Sequence, residues 1–262
     1  MDHRPGGAPP LTLFLTEPGR ALAELGCYLA ALPALPALPR GDGHPVLVLP
    51  GLLADDTSTS ALRAVLRHLG YAVYGWRLGR NLGPTAECVD GLRACVSDLA
   101  HRHDRPVSLI GWSLGGIFAR EQARATPGSV RQVITLASPF RLARPGQTRA
   151  NRAFQRYSHL HVTHPALPLE HDDGPLPVPA TSVYSRLDGI VAWESCLDTV
   201  GTRSENIAVL ASHLGIGHHP AVVYAVADRL AQPEGSWTPF RAPSVLRPAF
   251  PHPDKSAAPV AA

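Results

Sequence analysis

A run of apolar residues between two prolines, Pro45-Val46-Leu47-Val48-Leu49-Pro50, begins the most regular pattern in the chain. It has no polar alternation, so it suits a strand buried on both faces. Leu62, Val65, Leu66 and Leu69 follow at helical spacing, with capping residues over 55–59 and Gly70 as the stop. The same exchange then repeats. Further strands are predicted over 71–76, 107–111, 130–137, 181–184 and 207–211. Val89, Leu92, Val96 and Leu99 mark a helix ending near His103, and a second helix covers 114–125 before Pro127-Gly128. Val223, Val226, Ala227 and Leu230 stripe a last helix over 220–231. Strands alternating with helices of this length predict βαβ units. The expected fold is α/β, with a mostly parallel sheet of about six strands covered on both faces.

Three stretches stand outside this rhythm. Residues 1–40 read as an amphipathic helix over 18–32 and a proline-stiffened linker. The plain role for this helix is to cover an edge of the core, and attachment to a lipid surface is the competing one. Glu24, Pro33, Pro36 and Pro39 interrupt its apolar character, whereas a membrane span needs about twenty unbroken apolar residues. No charged-then-apolar-then-small layout of a secretory signal is seen, so a cytoplasmic protein without stable membrane insertion is expected. Residues 140–180 are rich in proline and histidine and weak in strand signal. A connection that long inside a compact domain is usually functional, and a lid over the carboxyl edge of the sheet is expected. Beyond the main domain over 41–232, residues 233–262 form a proline-rich tail, expected to be disordered from about 251.

Composition narrows the field a little. With 45% hydrophobic and 17% charged residues the chain is globular. Its 24 basic side chains, all arginine but for Lys255, exceed 21 acidic ones by only three and are scattered. Nucleic-acid binding needs a concentrated basic stripe, so it is excluded. Cys27, Cys88, Cys95 and Cys196 show no CxxC spacing, and Cys88 and Cys95 read as small hydrophobes on one helix face.

The chemistry begins at Gly111-Trp112-Ser113-Leu114-Gly115-Gly116, which fits G-x-S-x-G between an apolar strand and a helix. A serine on so sharp a turn projects its hydroxyl over the sheet edge, and the flanking glycines keep side chains out of the way. The bland alternative is a helix N-cap serine. A serine nucleophile needs a base and an acid, which on this architecture follow it in the order acid, then histidine. Asp188 comes directly after the strand ending at Ser185, in an Asp-Gly turn; Asp172 and Asp173 compete with it. His213 follows the strand over 207–211, with His218 and His219 as competitors at the start of the last helix. The oxyanion donors are expected from the backbone N–H groups of Leu114 and of Leu52, in the Pro50-Gly51-Leu52 loop, with Leu53 held in reserve. Leu53 and Trp112 are expected to line an apolar acyl pocket.

Taken together, the stretches 43–51, 111–116, 135–139 and 185–191, with Ser212-His213, resemble the α/β-hydrolase superfamily, and within it bacterial esterases and lipases. The likeness spans roughly residues 43–232 and implies a serine ester hydrolase with Ser113, Asp188 and His213 as its triad. Pro50 departs from it, standing where many relatives have histidine before the oxyanion glycine. No counterpart is seen to the first antiparallel strand pair of larger members, hence the reduced sheet.

Other constellations are weaker. His159, His161, His164 and His171 with Asp172 and Asp173 match no closed zinc site, so no metal and no cofactor are expected. The loop over 76–84 lacks a phosphate-binding pattern, though Arg80 or Asn81 sits where it can shape the pocket. The leading function is hydrolysis of a small-molecule or lipid carboxylic ester by a monomer or small homo-oligomer. An acyltransferase or thioesterase using the same triad is the alternative, followed by a catalytically idle binding protein. Serine at the elbow, in place of aspartate, disfavours epoxide and haloalkane hydrolysis.

Overall fold

The computed structural model describes residues 7–142, 145–162 and 174–254. Its centre is a six-stranded sheet in the order β2-β1-β3-β4-β5-β6. The strands are β1 (Pro45–Leu49), β2 (Ala72–Gly75), β3 (Val107–Trp112), β4 (Val130–Leu136), β5 (Ala180–Ser185) and β6 (Ser204–Val209). Every neighbouring pair runs parallel. Strand β1 shows why the apolar run near position 45 has no alternation: Val46, Leu47, Val48 and Leu49 are all at most 1% exposed, because helices cover both faces.

The helices are α1 (Leu11–Ala31), α2 (Ser60–His68), α3 (Ala86–His103), α4 (Leu114–Ala125), α5 (Asn151–Arg156) and α6 (Pro220–Leu230). Leu62, Val65 and Leu66 of α2 join Val222, Val226 and Leu230 of α6 and Tyr28 of α1 in one apolar layer. Leu92, Val96 and Leu99 of α3 join Ile117 and Phe118 of α4 in the layer on the opposite face. A parallel sheet between two helical layers places all its strand ends, and the loops that follow them, on one edge.

Helix α1 differs from its expected form. It begins at Leu11 and carries Pro18 in its interior, where proline removes one backbone hydrogen bond. Glu17 and Arg20, on either side of the proline, make bonds to distant loops that hold the segment in place. Its faces are inverted relative to an ordinary surface helix. Leu15 and Leu22 are 67% and 70% exposed, while Glu17 is 1% exposed. No helix among the described residues is long and apolar enough to cross a membrane.

The other outlying stretches also have defined structure. In the histidine-rich stretch, His161 donates from Nε2 to the Leu82 carbonyl at 2.9 Å and packs on Phe154, while His159 is exposed. His164, His171, Asp172 and Asp173 lie outside the described residues. Among the described residues no cluster of three metal-ligating side chains occurs. The expectation of disorder from about 251 does not hold for 251–254: Asp254 accepts from the Tyr184 hydroxyl at 2.9 Å and from Arg186 Nε at 2.8 Å. Phe240 and Phe250 pack upstream of it against the core. Composition missed this because the anchor is an ion pair and a hydrogen bond to residues some seventy positions away, in β5 and just after it.

At the other edge of the sheet lies a chain of Asp42, His44 and Ser108, exposed at Asp42 and buried beyond it, with His44 Nε2 2.9 Å from Ser108 Oγ. It has the composition of a catalytic triad, but His44 and Ser108 are both fully buried at strand starts, so it is structural. Burial lowers the His44 pKa to about 4, against the opposing pull of Asp42. An unfolded histidine titrates near 6.5, so between these values only the unfolded state takes up the proton. The stabilising contribution is therefore complete above pH 6.5 and is lost as pH falls through 4. Denaturant unfolding is expected to show roughly 3 kcal/mol less stability at pH 4 than at pH 7 from this group. The difference should shrink in His44→Gln; an unchanged difference would assign the loss to other groups.

Candidate active site

Strand β3 ends at Trp112 and helix α4 starts at Leu114, so a single residue, Ser113, must make the turn. It does so at φ 52° and ψ −120°, a conformation costly for any residue with a side chain. Its N–H is held by the Leu136 carbonyl at 2.8 Å. The closeness of the turn explains the glycines on either side. A Cβ on Gly111 would sit 2.3 Å from Gly115 O, and one on Gly115 would sit 2.5 Å from Leu49 O. Neither position has room for a methyl group, and the strand and helix can approach only because both are glycine.

Loops after β5 and β6 bring two more of the expected residues together. Asp188 Oδ2 lies 2.6 Å from His213 Nδ1, and both residues are buried. Asp188 Oδ1 accepts the backbone N–H groups of Ile190 and Val191, each at 2.8 Å, which fixes the carboxylate plane. Burial pushes the His213 imidazole pKa down, but the charge and hydrogen bond of Asp188, with the charge of Glu17, outweigh it, and the net shift is upward. Trp112 contributes as well: its indole N–H donates to the His213 carbonyl at 3.1 Å. The two competing histidines have other partners. His218 Nε2 donates to the Ala21 carbonyl, and His219 Nδ1 accepts the Ala221 N–H as the N-cap of α6. The competing acids Asp172 and Asp173 fall outside the described residues.

Ser113 and His213 line one cleft of about 470 Å³, together with Leu52, Leu53, Trp112, Ile190, Leu214 and His218. Ala150, the N-cap of α5, and Ala153 within it add to its wall. The loop after β1 is shaped from beneath by Asn81, which is fully buried and donates from Nδ2 to the Pro50 carbonyl at 2.9 Å. The Leu53 N–H donates to the Asn81 carbonyl at 2.7 Å, so this donor is already committed. Asn81 thus supports the loop and does not line the cleft, and Arg80 points into solvent.

Two residues at this edge were not anticipated. Glu17 and Glu24, seven apart on the inner face of α1, reach the loops on either side of the Asp188–His213 pair. Their spacing on an otherwise apolar helix is the signal that was available.

No family profile and no curated protein sequence matches the chain. Solved structures do. Lipase B of Aspergillus fumigatus superposes with a TM-score of 0.58 at 15% identity, over 74% of this chain and 53% of that one. The chain therefore spans about half the length of that lipase. Est1E from Butyrivibrio proteoclasticus gives 0.53 at 13% identity, over 71% and 86%. The parallel sheet, the serine turn after β3 and these likenesses lead to one conclusion: the chain has the α/β-hydrolase fold.

Proposed function

We propose that the protein is a serine carboxylic-ester hydrolase whose catalytic residues are Ser113, His213 and Asp188. The observation that carries this reading is the buried 2.6 Å pairing of His213 Nδ1 with Asp188 at the wall of the cleft that holds Ser113. With Nδ1 protonated and donating to Asp188, Nε2 is left as the proton acceptor. As Ser113 Oγ attacks the ester carbonyl, its proton passes to Nε2 and the carbonyl oxygen gains charge. The N–H of Leu114, first in α4 and without an intrahelical partner, is one donor to that oxyanion. The N–H of Leu52 is the second, since that of Leu53 is taken. Collapse of the intermediate expels the alcohol, which takes the proton back from the imidazolium. Water then opens the acyl-enzyme by the same route.

Leu53, Trp112, Ile190 and Leu214 give the cleft an apolar lining, so the acyl group is the part it accommodates. Structural likeness to a lipase is consistent with this, at the level of fold. A fluorophosphonate probe with peptide mapping, run beside a chain-length series of p-nitrophenyl esters, tests the proposal. The probe is expected on Ser113, with rates that rise with acyl length until a cleft of about 470 Å³ is full and fall beyond it. Labelling at another residue, or none with no ester turned over, would sink the reading.

A further inference from the structure

Helix α1 is tied to the site by carboxylates rather than by its leucines. Glu17 Oε1 accepts the N–H of Gly189 at 2.8 Å and that of His213 at 3.0 Å, and Oε2 accepts the N–H of Leu214 at 2.9 Å. One side chain thus holds the residue after Asp188 and His213 itself. Arg20 closes the set: Nη2 donates to Glu17 at 2.8 Å and Nη1 to the Leu187 carbonyl at 2.7 Å. A turn further on, Glu24 accepts the N–H and the hydroxyl of Ser212, both at 2.7 Å. A surface helix needs none of this to cover a core. A carboxylate that is 1% exposed is costly unless several donors meet it, and here they all come from the two loops carrying the acid and the base, or from Arg20.

We propose that Glu17 is a positioning residue of the catalytic machinery: it fixes the spacing of the Asp188 and His213 loops, and its charge stabilises the imidazolium formed at His213 during turnover. This rests on the hydrolase reading above. The charged and titratable groups facing His213 and its clamp are Asp188 from the β5 loop with Cys196 beside it, Glu17, Arg20 and Glu24 from α1, and His218 and His219 ahead of α6. Arg149, from the long insertion, donates to the Pro9 carbonyl ahead of α1 and lies over the Phe14 ring on it. Of these, Asp188 and Glu17 favour the protonated ring. Removing the negative charge of Glu17 lowers the pH at which His213 loses its proton; removing the positive charge of Arg20 raises it.

The test uses the full chain in two variants, Glu17→Gln and Arg20→Met, with two readouts. One is the pH profile of kcat and KM on p-nitrophenyl butyrate. The other is the His213 imidazole titration by NMR in a Ser113→Ala background, which needs no activity. Glu17→Gln is expected to lower kcat about 10- to 100-fold with little change in KM, as expected for misplaced catalytic groups. Its acid limb and its imidazole titration should both move to lower pH. Arg20→Met should move both to higher pH, and it decides the matter alone if the glutamine variant does not fold. An imidazole titration unmoved in every folded variant overturns the positioning role. Failure of the hydrolase reading looks different: Ser113→Ala would keep its turnover while the NMR shifts persist.

Discussion

Ser113→Ala is expected to abolish ester hydrolysis, with kcat falling by about 10⁴- to 10⁶-fold, while the protein stays folded. The two halves of this expectation have separate grounds. The rate loss follows because no other hydroxyl stands at the strained turn over the sheet edge, so a water molecule would have to replace a held nucleophile. What survives is the catalysis that the oxyanion donors and substrate binding give on their own. The intact fold follows from the surroundings of the side chain. Ser113 Oγ borders the cleft, and deleting it leaves no buried partner unsatisfied, whereas the backbone bond to Leu136 O at 2.8 Å remains. Alanine also keeps the Cβ that the turn already tolerates at φ 52°. Thermal melting should agree with the parent to about 2 °C. A variant that melts normally and still turns over esters at more than a hundredth of the parent rate would move the nucleophile elsewhere.

The same residues show how far the sequence could be read. The strands were legible because each is an apolar run closed by a turn former, and burial on both faces leaves no ambiguity of period. Asp188 and His213 were legible because a parallel sheet delivers whatever follows its strands to one edge. They stand three positions after β5 and four after β6, close enough to those strand ends to be brought together there. Glu17 was not legible for a physical reason. Its burial depends on N–H groups contributed by residues 189, 213 and 214, and a local pattern carries no trace of them. Pro18 misled as well, since proline usually opens a helix; here tertiary bonds on either side of it outweigh the lost backbone bond. The tail failed in the same way. Proline content suggested disorder, but Asp254 meets Arg186 and Tyr184 across the end of β5.

Asp188→Asn is expected to cost about 10⁴-fold in kcat, and the local geometry says why so small a change does so much. An asparagine here has two ways to lie. The N–H groups of Ile190 and Val191 both donate to Oδ1 at 2.8 Å. They hold the amide oxygen on their side and turn the amide NH₂ toward His213. A donor facing Nδ1 forces that nitrogen to accept, so the ring's proton moves to Nε2. The nitrogen that must take the serine proton is then already occupied. The charge is lost at the same time. Asp188 is the main influence raising the His213 pKa against burial, so the neutral variant titrates at lower pH. For the parent protein a base that works only when neutral is expected to give activity rising with pH through an ionisation above the ordinary histidine value of about 6.5. For Asp188→Asn the residual activity should rise through a lower one. Asp172→Asn and Asp173→Asn should both retain rates within a few-fold of the parent and an unmoved limb. Should either of them lose turnover by orders of magnitude while Asp188→Asn retains it, the acid belongs to the long insertion and the buried 2.6 Å pair is only structural.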